Sequence, residues 1–158
     1  MSYKIKQCTN DDIDFVNDLL CVLCDLHHSG RSDVFKSGGC KYTTDDIISL
    51  LERNDAFIDI CIDENGNRVG YCIQFLKQVN EDNCRFARRV LYIDDLCISD
   101  NKRSKGAGSA LMAAVKQRAT EQSCDAIELN VWEFNKNAIE FYEKQGFLPQ
   151  RRFYEMKL

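Results

Sequence analysis

Apolar positions along the chain change period several times, and each change marks an element. Residues 2–9 (SYKIKQCT) set Tyr3, Ile5 and Gln7 against Lys4, Lys6 and Cys8, the alternation of a strand. From 11 to 27, Ile13, Val16, Leu20 and Leu23 share one face, widened by Phe15 and Leu19. That spacing predicts an amphipathic helix, with Thr9 or Asn10 as its cap. Residues 28–41 (HSGRSDVFKSGGCK) hold no period and read as a loop. Thr43 or Thr44 caps a short helix over 45–53. A strand at 56–63 (AFIDICID), a turn at 64–67 (ENGN) and a strand at 68–78 form a hairpin. After a polar turn, 88–99 reads as a strand and 106–122 as a helix. In that helix Ala107, Ala110, Leu111, Ala114 and Val115 form a stripe small enough for close packing on a sheet. Residues 126–132 (AIELNVW) alternate as a strand, 135–145 form a helix stopped by Gly146, and 147–158 close with one or two strands. The order β-α-α-β-β-β-α-β-α-β predicts an α+β domain with one mixed, mainly antiparallel sheet.

A chain of 158 residues suits a single domain, 1–158, and buries enough surface to need no covalent staples. Nine cysteines show no paired framework, and Cys61, Cys72 and Cys97 sit in apolar runs as small hydrophobes. Cys21 and Cys24 have C-x-x-C spacing but lie in a helical pattern with no second pair, so they read as core thiols rather than metal ligands. Free thiols imply a reducing compartment. The chain carries no signal-type hydrophobic segment and no spanning run, so the expected location is cytoplasmic, with no membrane contact. A net charge of −4 without a basic block argues against a nucleic-acid partner.

The stretch 100–109 (DNKRSKGAGS) joins a strand to a helix with two glycines at the helix start. Such a turn aims unpaired N–H groups and the positive end of the helix dipole at one point, a ready site for phosphate. Arg103 and Lys105 add charge beside it. A P-loop is excluded because Lys105 precedes Gly106 and no Gly-Lys-Ser/Thr ending follows. A dinucleotide fingerprint fails because Leu111 stands at the third glycine position and the loop is too long. Taken alone, the hexapeptide leaves two readings open: an acyl-CoA loop and a glycine-rich helix start without ligand.

Two segments resemble the GNAT acetyltransferase family. Arg103-Ser104-Lys105-Gly106-Ala107-Gly108 is similar to its Arg/Gln-x-x-Gly-x-Gly/Ala loop. Asn135, Ala138, Tyr142, Gly146 and Phe147 fit its second segment position by position. Ser104 stands where many members have glycine, and the proline common near Ser99 is missing. The resemblance implies the GNAT fold over nearly the whole chain, its sheet splayed around an acyl-CoA site between the 88–99 and 126–132 strands. Acetyl-CoA is then the co-substrate and CoA the product. The pantetheine arm would dock along the exposed backbone of Leu96 and Ile98. The pyrophosphate would meet N–H groups of Lys105, Gly106, Ala107, Gly108 and Ser109, with Arg103 and Ser104 completing the loop. Asn135 would bond CoA or cap its helix, and Asn130 would reach the cofactor from the splayed strand.

Acetyl transfer to an amine by direct attack on the thioester needs a group to take the ammonium proton, a donor for the developing oxyanion, and a proton for the leaving thiolate. The resemblance gives Tyr142 the last task. It gives Asp94 the first, as a base acting through a water, with an ammonium anchor or a structural pair with Arg88 or Arg89 as alternatives. Period two sets Asp94 on the face of Leu96 and Ile98, with Asp95 opposite. The implied acceptor is a primary amine of a small molecule, of polyamine, amino-acid or aminoglycoside type. A protein N-terminal amine, and a non-catalytic acyl-CoA-binding module, are the alternatives. His27, His28, Arg31, Asp33 and Phe35 lie where the acceptor is selected in this fold, although an ordinary polar loop is the favoured reading of them. A homodimer is compatible with all of this.

Overall fold

A computed structural model of the chain describes residues 2–100 and 105–158. Strand β1 (Tyr3–Gln7) leads through a 3₁₀ turn into helix α1 (Ile13–Gly30) and helix α2 (Thr44–Leu51). Strands β2 (Ala56–Asp63), β3 (Arg68–Val79) and β4 (Arg88–Ile98) follow, then α3 (Ala107–Glu121), β5 (Ala126–Leu129) and α4 (Lys136–Lys144). The described residues form a five-stranded sheet in the order β1-β2-β3-β4-β5. The first three pairings are antiparallel and β4–β5 is parallel. The expected α+β class with a mixed sheet is the one observed.

Two apolar layers cover the sheet. On one face Ile13, Val16 and Leu20 of α1 and Ile47 of α2 pack on Ile58, Ile60, Tyr71 and Ile73. On the other, Leu111, Met112 and Val115 of α3 pack on Cys61, Cys72, Leu91 and Ile93. The helix starts are locally specified. Thr43 accepts from the Asp46 backbone N–H at 3.1 Å while Asp46 accepts from the Thr43 backbone, a reciprocal cap. Asn135 caps α4 by accepting from the Ala138 N–H at 3.2 Å. Gly106 sits at φ +95°, a conformation that lets the chain enter α3 and that a side chain would oppose.

Two expectations fail in the fold. Residues 147–158 form no strand; Leu148, Phe153, Tyr154, Met156 and Leu158 are largely exposed. The tail has strand-like alternation but pairs with no sheet edge. It is held by Arg31 to Glu155 at 2.9 Å and Lys157 to Asp33 at 2.7 Å. The second failure is Cys21. It points away from the α1 core stripe, is exposed, and is disulfide-bonded to Cys40 of the following loop. Cys24, by contrast, is a free, half-buried thiol.

Candidate active site

Where β4 and β5 part, the sheet opens. Their pairing ends at Ile93↔Leu129, and among the described strands Asp95 to Ile98 of β4 continue in register with β3 alone. Leu96 borders this gap, and Ile98 pairs with Gly70 of β3 beyond it. A cavity of about 550 Å³ fills the opening. Asp94, Asp95 and Leu96 of β4 form its floor, with Asn130, Asn135 and Tyr142 on the β5–α4 side and Leu23, Cys24 and His27 of α1 opposite.

A bulge sets the chemistry of the floor. Ile73 pairs with Asp95 and Gln74 with Ile93, which leaves Asp94 as an extra residue. The bulge reverses the parity of β4. Leu91, Ile93, Leu96 and Ile98 all face the α3 layer, whereas Cys97 faces α1. Asp94 therefore does not share a face with Leu96 and Ile98, and Asp95 is not turned away from it. Both carboxylates meet the loop before α2. The Lys41 ammonium lies 2.9 Å from Asp94 Oδ2 and 3.5 Å from Asp95 Oδ2. It also donates to the Asp94 carbonyl at 3.0 Å, and the Tyr42 hydroxyl donates to Asp94 Oδ2 at 2.7 Å. Neither arginine considered as a partner for Asp94 is one: Arg88 pairs with Glu128, and the Arg89 side chain bonds Gln122.

Burial pushes the Asp95 carboxyl up to about 6; the Asp94 charge adds to the rise and Lys41 opposes it. Burial would lower the Lys41 ammonium, but the charges of Asp95 and Asp94 outweigh it and hold the group above its ordinary value. Burial keeps His27 below its usual value, reinforced by Lys41, so its ring is neutral near pH 7.

Tyr142 packs edge-on against Phe141 and Phe147 with ring centroids 5.2 and 5.6 Å away. Burial raises its hydroxyl well above the phenol range, so it stays protonated and able to donate. Asn135 reaches the cavity through the same side chain that caps α4. Asn130 donates to the Tyr92 hydroxyl at 2.9 Å on the rim.

At the glycine loop the first backbone groups of α3, at Ala107, Gly108 and Ser109, follow the left-handed Gly106. The Lys105 carbonyl accepts from the Tyr3 hydroxyl at 3.1 Å, which ties the loop to β1. Arg103 and Ser104 lie outside the described residues. Gly108 has a packing role that spacing does not reveal: a Cβ there would stand 3.0 Å from the Phe141 ring of α4. Its Ser109 neighbour accepts from the Gln145 side chain at 3.1 Å.

The last turn of α1 and the loop after it divide. His27 and Phe35 join Trp132 and Phe134 in an aromatic wall, with His27–Phe35 at 5.0 Å and Phe35–Trp132 at 5.3 Å. Arg31 and Asp33 bind each other at 2.8 Å and the C-terminal tail, with the Arg31 guanidinium 5.7 Å from the Trp132 ring centroid. His28 Nδ1 meets the Phe35 carbonyl at 2.7 Å. Lys41, Tyr42, Asp95 and Trp132 were not singled out by sequence reasoning as site residues. For Lys41 and Tyr42 the available signal was their place between a glycine-rich loop and a capped helix.

An open β4–β5 gap, a glycine-led helix start and a floor of two carboxylates define an acyltransferase-like site. The model of the Acetyltransferase (GNAT) family matches residues 25–147, and the chain belongs to that family. Among curated relatives, L-ornithine N5-acetyltransferase NATA1 of Arabidopsis thaliana is 37% identical over 60 residues, 38% of this chain and 26% of the relative. The uncharacterized N-acetyltransferase MJ1207 of Methanocaldococcus jannaschii is 26% identical over 92% of this chain and 61% of its own length. The matches thus span from about a quarter to about three fifths of these two relatives. Among solved structures, a tetramutant of the BH1408 protein of Bacillus halodurans superposes with a TM-score of 0.94 at 26% identity, covering 98% of this chain and 99% of that one. AAC(6')-Iy in complex with the bisubstrate analog CoA-S-monomethyl-acetylneamine shares the fold, with a TM-score of 0.72 at 15% identity over the full length of both chains.

Proposed function

We propose that the protein is an acetyl-CoA-dependent N-acetyltransferase acting on a primary amine of a small molecule. The observation that carries this reading is the joint placement of Asp94, Asp95 and Tyr142 around the β4–β5 gap. The part of β4 beyond its pairing with β5 suits the amides of pantetheine, and the α3 start suits the pyrophosphate. The acceptor ammonium sits on the carboxylate floor and yields its proton there. Its nitrogen attacks the thioester carbonyl, and the Tyr142 hydroxyl protonates the departing CoA sulfur. Asp94 and Asp95 are close enough to act as a pair, so the proton is assigned to the pair.

The relatives' names favour an amine on an unbranched chain: one is an L-ornithine N5-acetyltransferase, another the thialysine N-epsilon-acetyltransferase of Bos taurus. We place the protein in the cytoplasm as a single domain; seven cysteines are free, while the Cys21–Cys40 disulfide runs against a reducing compartment. Among the described residues no helix is long and apolar enough to cross a membrane. The exposed apolar tail supports a homodimer, which light scattering tests directly.

A panel of diamines, diamino acids, aminoglycosides and peptides, incubated with acetyl-CoA and read by mass spectrometry, tests the reaction. Acetylation of a small primary amine is the expected outcome. A protein that acetylates only peptide N-termini would transfer the reading to that class. Binding of acetyl-CoA with no acceptor modified would leave a binding module.

A further inference from the structure

We propose that Lys41 is a site of self-acetylation, modified in cis at the acceptor position of its own active site. The inference rests on the acetyl transfer proposed above. A primary ammonium already occupies the carboxylate floor, and it belongs to this chain. Lys41 Nζ is held by three oxygens: Asp94 Oδ2 at 2.9 Å, the Asp94 carbonyl at 3.0 Å and Asp95 Oδ2 at 3.5 Å. The carbonyl belongs to the bulged residue, so the strand's irregularity adds to the cradle.

The nitrogen is also delivered by a stem fixed on both sides. Cys40, the preceding residue, is bonded to Cys21 of α1. Tyr42, the following residue, is bonded through its hydroxyl to Asp94. Holding a nucleophile beside the groups that act on it replaces an encounter with a local rearrangement, a large kinetic advantage over any free lysine. Lys136 and Lys144 have no such setting; they pair with Glu133 and Glu140 on the outer surface and are mostly exposed.

The step balances without another reactant. Lys41 rests as an ammonium, and one proton passes to the Asp94–Asp95 pair. The freed nitrogen attacks the thioester carbonyl of acetyl-CoA. The C–N bond forms, the C–S bond breaks, the sulfur leaves with the Tyr142 proton, and the second proton shed by the nitrogen restores Tyr142. The products are Nε-acetyl-lysine and CoA. An amide carries no charge, so the modified side chain loses its ion pairs with Asp94 and Asp95.

The test incubates the intact protein with acetyl-CoA and no added amine, then maps acetylation by peptide mass spectrometry. Lys41 should gain one acetyl group about 10²-fold faster than Lys136 or Lys144. Its rate should not change on dilution, should fall when n-butylamine competes, and should fall in a folded Tyr142→Phe variant. Equal labelling of Lys41 and the surface lysines, in a preparation that acetylates n-butylamine, overturns this proposal and leaves the enzyme reading intact. A rate that drops on dilution overturns transfer in cis. A preparation that binds acetyl-CoA but modifies neither Lys41 nor n-butylamine overturns both.

Discussion

Two buried carboxylate clusters sit on opposite faces of the sheet, and they are built differently. On the α3 face, Arg118 grips Asp59 with both terminal nitrogens, one of them to Oδ1 at 2.8 Å. Gln74 closes the ring, donating to Asp59 Oδ2 at 2.7 Å and accepting from Arg118 Nη1 at 2.8 Å. The Arg118 guanidinium also stacks on the Phe57 ring at 4.7 Å. Asp59 and Phe57 stand on β2 and Arg118 on α3, while Gln74 lies on β3 beside the β3–β4 bulge. On the α1 face, Asp94 and Asp95 stand at a bulge, and their cation comes from a loop. Lysine is a point charge on a flexible stem, whereas arginine is a planar fork that satisfies a carboxylate twice. The Asp59–Arg118 cluster borders a smaller cavity of about 230 Å³, and the Asp94–Asp95 cluster faces one of about 550 Å³. Burial of a carboxylate thus serves the fold where a planar fork and an amide hold it, and serves chemistry where its partner can be exchanged.

Four variants sharpen that contrast. Tyr142→Phe, on the open side, should cut turnover by roughly 10²–10⁴ and leave acetyl-CoA affinity little changed, as steady-state kinetics with a binding titration will read. Asp59→Ala, on the closed side, strands the Arg118 charge and should cost about 3–5 kcal/mol of unfolding free energy in urea titrations. Turnover per folded molecule should hold in that variant. Gly108→Ala presses a methyl group against the Phe141 ring and should cost about 1–3 kcal/mol, measured in the same way. Loss of acetyl-CoA binding in a Gly108 variant is therefore not by itself proof of a cofactor contact.

The smallest effect is a pH dependence. Folding raises the Asp95 carboxyl from 3.8 to about 6, because burial disfavours its charge. The folded state then holds a proton that the unfolded chain has released, so this contribution to stability is full below 3.8 and is lost as pH climbs to about 6. Melting temperature compared between wild type and Asp95→Asn should diverge across that window, with wild type losing ground as pH rises. A constant difference would show that Asp95 titrates normally.

Much of the fold was legible because its signals are local. The period of α1, the Thr43 cap, the ENGN turn and the Asn135 cap all lie within a few residues of what they determine. The β4–β5 gap was legible only through the family resemblance, since no residue marks where pairing stops. The bulge was not legible at all. It depends on Gln74 being turned to Arg118 on one face while Asp95 meets Lys41 on the other, contacts 44 and 54 residues apart in sequence. Strict alternation across Asp94 therefore gave the wrong face. The Cys21–Cys40 bond escaped for a related reason: its sequence separation of 19 spans a glycine-rich loop with no period. The tail alternates like a strand, but alternation alone does not supply an edge to pair with.

The most direct test is turnover of Asp94→Asn at saturating amine, measured across pH beside wild type. The amide keeps the shape of the floor and removes proton acceptance. The account predicts a large drop near pH 7 that shrinks as pH rises and more of the acceptor is already neutral. Equal turnover in the two proteins at every pH, with both folded, would contradict it.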